Sequence, residues 1–279
     1  MALFNLLFDC CLILLLVRAV VANEGHMAFN RPYQFVVKLV QPVWSALKVR
    51  PRDVAVMSGL GMILLIGLRG LFWLLGRGEL DFKVAVIPIS NRGYGQCQVL
   101  SLLAALTFLL QVYAFITLAI VIGGLEHRTD HYSRLLRALL GPFKKMSPWL
   151  CCALPMLGLM ALWSVALWML QRMGLLPADR PRMGRCLLTA IPLTLALVVD
   201  LAQVWVVFLF ARIPFSLLPI WRPAFVAWLE RVTDPLLAPF RRFNLKFKKL
   251  DFTPAVSAIV LAVLHVVLLL LLERIYLGL

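Results

Sequence analysis

The chain has 279 residues, 62% of them hydrophobic, with a mean hydropathy of +0.92. A soluble domain carries about 45–50% apolar residues, so a protein that keeps water as its main solvent is excluded. The net charge of +15 would point to nucleic acid in a soluble protein. Here the bases lie between apolar runs, where they set topology and meet anionic lipid headgroups, and no nucleic-acid partner is expected.

Six apolar runs, near residues 2–22, 54–75, 98–122, 149–170, 187–210 and 254–273, reach the roughly 20 residues that a helix needs to cross a hydrocarbon core of about 30 Å. The predicted fold is therefore an all-α membrane protein of about six transmembrane helices. The first run starts at Met1-Ala2-Leu3-Phe4 without a basic leader or a small-residue cleavage site, and reads as a retained span. The six cysteines, among them the vicinal pairs Cys10-Cys11 and Cys151-Cys152, form no Cys-x-x-Cys motif and read as small apolar fillers.

Between the spans the layout recurs around Pro42, Pro142 and Pro235. Each proline follows a short segment with apolar residues at helical spacing: Phe35, Val36 and Leu39; Leu135, Leu136 and Leu139; Trp228, Leu229 and Val232. A base precedes each proline by a turn or so (Lys38, Arg137, Arg231). One apolar and one basic face describe a helix lying in the membrane interface. The chain is thus expected to hold two or three span–interfacial helix–span hairpins, over 1–76, 77–175 (degenerate) and 176–279. The hairpin loops carry 18 Lys/Arg against 8 in the connectors and at the C-terminal end, which predicts cytoplasmic loops and both termini outside.

Charges inside apolar runs are costly and need partners or an interfacial position. Arg18, Arg69, Arg212 and Glu273 lie near span ends and are expected to snorkel to headgroups. Asp9 and Asp200 lie deeper, and Gln203 falls on nearly the same helical face as Asp200; a proton or cation site and a pairing with a basic side chain are both open. His127 and His131 at i, i+4 have the spacing of two metal ligands, but without a third ligand they read as a solvated helix face. His265, alone in a span, would ligate haem only with a partner histidine. Phosphate loops, nucleophile elbows and paired catalytic carboxylates are lacking from the sequence, so no enzyme, no metal and no cofactor is expected.

The most specific stretch is Thr233-Asp234-Pro235-Leu236-Leu237-Ala238-Pro239-Phe240-Arg241-Arg242, followed by Asp251-Phe252-Thr253-Pro254. It resembles the YggT family of small bacterial inner-membrane proteins, which includes the YlmG proteins of plastids and cyanobacteria. The family pattern has an acid–proline pair, a second proline four residues on, one or two arginines, and Asp-hydrophobic-Ser/Thr-Pro at the start of the last helix. Arg212 joins the motif from the preceding span. Arg18, Gln41-Pro42 and Asp53 resemble a diverged first copy. In physical terms Asp234-Pro235 is suited to stopping one helix, while Asp251 and Thr253 are suited to capping the next, with Pro254 in its first turn. Arg241 and Arg242 then fall at headgroup level, to pair with Asp234 or Asp251, to bind lipid phosphate, or to set topology alone.

The resemblance implies a bacterial inner-membrane location and a role in osmotic tolerance, in division or nucleoid and thylakoid organisation, or in haem attachment. The expected function is a non-enzymatic scaffold or accessory factor for a membrane complex, with anionic lipid and a membrane protein, or a second copy, as partners. The alternative is a small-solute or ion transporter, in which Asp9, Asp200, Gln203 and the loop arginines line one polar cavity. A haem-handling factor ranks third.

Overall fold

The structure, a computed structural model, describes residues 2–22, 27, 29–75, 79–81, 86–88, 92–125, 130–141, 143, 146–176, 183–217, 224–243, 246–247 and 250–278. The fold is all-α. Helices α1 (Ala2–Val21), α3 (Val54–Leu75), α4 (Tyr94–Ile122), α6 (Pro148–Arg172), the pair α7 (Met183–Val199) and α8 (Ala202–Leu217), and α10 (Thr253–Gly278) supply six stretches long and apolar enough to cross a membrane. Three shorter helices, α2 (Arg31–Ala46), α5 (His131–Leu139) and α9 (Ala224–Arg241), each lie between two of these spans. Two short antiparallel ribbons complete the described elements: β1 (Glu79–Asp81) with β2 (Val86–Pro88), and β3 (Lys246–Phe247) with β4 (Leu250–Asp251).

Spans adjacent in sequence are adjacent in space, giving a series α1, α3, α4, α6, α7 in which α10 packs on both α7 and α8. Lipid is as apolar as leucine, so close approach and interhelical hydrogen bonds must hold such helices together. At the α3–α4 contact Gln98 Nε2 donates to Gly67 O at 3.0 Å and Ser101 Oγ donates to Ile66 O at 2.7 Å. A Cβ at Gly70 would meet Gln98 Oε1 at 2.6 Å, so any larger residue there would push the Gln98 amide off its place on Gly67 O. The outer helices α1, α3 and α10 display residues such as Leu3, Ile63 and Leu270 more than half exposed. That surface would aggregate in water and is stable against acyl chains.

One apolar core, around Trp73, Leu100, Trp163, Leu167 and Leu193, joins α3, α4, α6 and α7. A second gathers Val17, Tyr33, Ile120, Leu139, Trp228 and Leu229, and so draws all three short helices into one layer at the loop end of the spans. Trp228, Leu229 and Val232, on the apolar face of α9, are buried in the protein, and so is Leu139 of α5. In α2 the residues buried in the protein are Tyr33, Val40 and Trp44, while Phe35 and Leu39 are exposed. Pro142 lies outside the described residues.

Candidate functional site

The loop end of the third hairpin holds the densest polar cluster that the sequence singled out. Arg212, in the last turns of α8, turns inward rather than snorkelling. Its Nη1 donates to Asp234 Oδ1 at 2.7 Å, Thr233 Oγ1 at 2.9 Å and Glu230 O at 3.1 Å. Thr233 is fully buried, and its hydroxyl donates to Leu229 O at 2.8 Å. On the outer side Arg241 Nη2 donates to the same Asp234 oxygen at 2.6 Å. One carboxylate therefore bridges two guanidinium groups, one 15% and one 53% exposed. Charge-assisted bonds of this kind are about twice as strong as neutral ones.

The expectation that Asp234-Pro235 stops a helix is wrong: α9 continues through Pro235 and Pro239 to Arg241. Both prolines sit on the exposed side, where carbonyls deprived of an N–H partner need not be buried. Continuity of α9 is what brings Arg241, two turns on, back beneath Asp234. Arg242 is exposed. Asp251 Oδ1 accepts from Thr253 N at 3.0 Å, and Pro254 is the second residue of α10, where a missing N–H costs little.

The first hairpin places Arg18 at the matching point of α1, but its Nη1 donates to the Tyr33 hydroxyl and its guanidinium lies 5.6 Å from that ring. It also does not snorkel. Gln41, Pro42 and Asp53 are all exposed, so Gln41 does not stand where Asp234 stands. Asn30 caps α2 through Tyr33 N at 3.2 Å and donates to His131 O at 2.6 Å. Asp130 caps α5 through Ser133 N at 2.9 Å and accepts from Arg231 of α9 at 3.4 Å. The start of α5 thus ties α2 and α9 into one layer. Burial raises the Asp130 pKa, but the Ser133 hydrogen bonds and the Arg231 charge outweigh it and hold the carboxyl below its ordinary value. His127, the other half of the i, i+4 histidine pair, lies outside the described residues; the His131 ring stands 3.3 Å from Arg134.

The deeper polar residues fall into separate pairs. Arg69 is 4% exposed and donates to Asp9 Oδ1 at 2.9 Å, with its guanidinium 4.8 Å from the Trp73 ring. Snorkelling fails here because an acid on the neighbouring span is nearer than the headgroups. Trp73 Nε1 in turn donates to Asn5 at 3.0 Å. Asp200 faces His265 Nε2 at 3.5 Å, so the histidine's neighbour is a carboxylate and not a second imidazole. Gln203 is exposed. Of the four, only Glu273 remains exposed near its span end. An apolar groove of about 620 Å³ opens between α4 and α6, lined by Leu110, Leu154, Pro155 and Gly158 among others. The Tyr113 and Thr117 hydroxyls at its wall donate to backbone carbonyls.

The described span from α7 to α10, with α9 and its arginine–aspartate bridge between, coincides with the one stretch that a family model covers. Residues 191–272 match the CCB3/YggT family. The C-terminal third is similar to the CCB3/YggT family. The match takes in Asp200, Arg212, Asp234, Arg241, Asp251, Pro254 and His265, and leaves the first two hairpins outside. No curated protein matches the chain, and neither does any solved structure.

Spacing did not reveal Tyr33, Asn30, Gln98 or Gln111 as partners. Each reaches a residue at least fifteen positions away or on another helix, beyond the range of a local pattern. One signal was available: Asp9 lies near the start of a span that runs away from the connector side, and Arg69 near the end of one that returns to it, so both sit at similar depth.

Proposed function

We propose that the protein is a non-enzymatic scaffold or accessory factor of a bacterial inner membrane, with the CCB3/YggT unit as its docking end and a role in envelope or osmotic homeostasis. The observation that carries this reading is the layer formed by α2, α5 and α9. Three interfacial helices are locked to one another through Asn30–His131 and Asp130–Arg231, and two of them are locked to the preceding spans by inward-facing Arg18 and Arg212. A stiff platform loses little conformational freedom when a partner docks. At its edge Arg241, Arg242 and Phe243 are exposed, and Phe243 is 70% so. Two cations beside an aromatic ring suit an anionic headgroup surface and the rim of a membrane partner or of a second copy. The hairpin loops face the cytoplasm on the charge bias already described.

Crosslink-stabilised isolation from membranes, followed by mass spectrometry, tests this with wild type, Asp234→Ala and Arg241→Ala/Arg242→Ala at matched abundance. A stoichiometric membrane partner, or a second copy, retained by wild type and lost from the variants is the expected result. Recovery of lipid alone from all three sinks the scaffold reading. A transporter is the second reading, and Asp200 with His265 is the observation that favours it. Flux of ions or osmolytes through proteoliposomes, abolished by Asp200→Asn, would promote that reading over the first.

A further inference from the structure

Among the described residues four helix ends close on a residue with positive φ: Gly124 after α4, Gly141 after α5, Gly174 after α6, and Lys48 after α2. The left-handed conformation suits glycine, which has no Cβ to collide with the following carbonyl. At the end of α2 the ordinary closing bonds form, with Val49 N donating to Trp44 O at 3.0 Å and Lys48 N to Ser45 O at 3.1 Å. Nothing in that turn calls for a lysine, and glycine would close it without strain. Strain of this kind persists where the side chain that bears it is put to use.

The Lys48 side chain lines a cavity of about 400 Å³ at the turn between α2 and α3, together with Arg50, Asp53, Leu47, Val56 and Met57. Lys48, Arg50, Arg52 and Asp53 are exposed, and none of them has an ion pair or side-chain hydrogen bond among the described residues. Arg18, Arg69 and Arg212, by contrast, are each engaged inside the protein. Three bases against one acid give residues 48–53 a net charge of +2. Apolar surface leads away from the cavity along both helices. On α2 Phe35, Leu39, Val43 and Leu47 lie four residues apart and are all exposed, and on α3 Val56, Leu60, Ile63 and Leu64 share one exposed face. Leu47 and Val56, where the two stripes meet the turn, are both walls of the cavity. The α3 span begins at Pro51, so the cavity lies where hydrocarbon gives way to headgroups.

We propose that this cavity is the headgroup site of one bound anionic phospholipid of the phosphatidylglycerol type. The Lys48 ammonium and the Arg50 guanidinium take the phosphodiester, and the acyl chains lie along the α2 and α3 stripes. Charge decides the lipid class: a net +2 favours a negatively charged headgroup over a zwitterionic one, whose cationic end would meet the bases. Asp53, the acid on the wall, accepts a hydrogen bond from a headgroup hydroxyl and so suits glycerol. A free phosphate ion would leave Leu47, Val56 and Met57 uncovered, whereas a lipid covers them. The site belongs to the first hairpin, outside the family match at residues 191–272, and does not rest on the scaffold reading.

The test is native mass spectrometry of the full chain released from phosphatidylcholine nanodiscs that hold a minor share of phosphatidylglycerol. Wild type is expected to retain one phosphatidylglycerol more than Lys48→Gly/Arg50→Gln. Arg185→Gln/Arg274→Gln removes the same charge at the connector end and is expected to keep that lipid. Equal retention by wild type and the cavity variant overturns the proposal. So does an equal loss from the connector-end variant, which would make net charge and not the cavity the cause, and so does phosphatidylethanolamine held as firmly as phosphatidylglycerol. Thermal unfolding supplies a second readout. In pure phosphatidylcholine Lys48→Gly is expected to unfold at a higher temperature than wild type, because the strain is relieved and no ligand is lost. A lower temperature would mean that the lysine serves the fold itself, and would overturn the proposal. Added phosphatidylglycerol is expected to raise the unfolding temperature of wild type and to leave that of Lys48→Gly/Arg50→Gln unchanged. The same rise in wild type from inorganic phosphate, with phosphatidylcholine alone, would assign the cavity to a soluble anion and overturn the lipid assignment.

Discussion

The first and third hairpins solve one problem with different chemistry. Each brings an arginine to the loop end of the entering span and turns it onto the interfacial helix. Arg18 meets a phenol hydroxyl and the face of its ring, whereas Arg212 meets a buried threonine and a carboxylate that Arg241 also engages. Tyr33 stands fifteen residues after Arg18, while Asp234 stands twenty-two after Arg212. The arginine is thus common to both, but its anchor is the third residue of α2 and the eleventh of α9. Among the described residues only the third arrangement neutralises the guanidinium, and only that hairpin matches the family model. The contrast shows that an arginine at a membrane boundary can act as an inward clamp and need not serve as a headgroup anchor.

The contrast is sharpest at Asp234. Replacing Asp234 with Ala leaves Arg212, mostly buried, without its counter-charge, and is expected to cost about 2 kcal/mol, within the range for hydrogen bonds to charged groups. Thermal unfolding in detergent measures it, and a loss no larger than in the first hairpin would erase the distinction. Tyr33→Phe keeps the ring beneath Arg18 and removes one hydroxyl acceptor, for a smaller expected loss of about 1 kcal/mol. Arg241→Ala, at a half-exposed position, should cost about 0.5 kcal/mol, as exposed pairs do, and Arg242→Ala less still. If Arg241→Ala matched Asp234→Ala, the outer guanidinium would be the true clamp.

The smallest effect concerns the tie between hairpins. The folded pKa of Asp130 is depressed, so its contribution is present above the unfolded carboxylate value of about 4 and is lost as the pH falls through the folded value. Wild type should therefore lose stability in acid more steeply than Asp130→Asn, with the two curves running parallel above about pH 5. Identical acid limbs would mean that α5 is held by its apolar face alone.

What could be read from the sequence follows from range. The spans emerged because roughly 20 consecutive apolar residues leave a helix little alternative to crossing the membrane. Asp251-Phe252-Thr253-Pro254 was legible as a helix start because capping acts over two or three residues. The stop at Pro235 was misread because a proline exposed on a surface helix leaves no buried carbonyl unsatisfied. Snorkelling of Arg69 was misread because its partner, Asp9, is sixty residues away. Periodicity gives α2 an apolar face of Phe35, Val36 and Leu39 but cannot say which side of a helix meets protein and which meets lipid, and the residues buried in the protein are Tyr33, Val40 and Trp44.

By itself, then, the sequence determined that this chain lives in a bilayer, how many helices cross it, where the three amphipathic segments fall and that its last third resembles a CCB3/YggT unit, all consequences of solvent preference and local pattern. Tertiary structure alone decided which charge meets which. It set Asp234 between Arg212 and Arg241, Asp9 against Arg69, and Asp200 against His265 across a broken helix. Pairing inside a membrane depends on depth and on which helices are neighbours, and neither quantity is written in any stretch of sequence short enough to read locally.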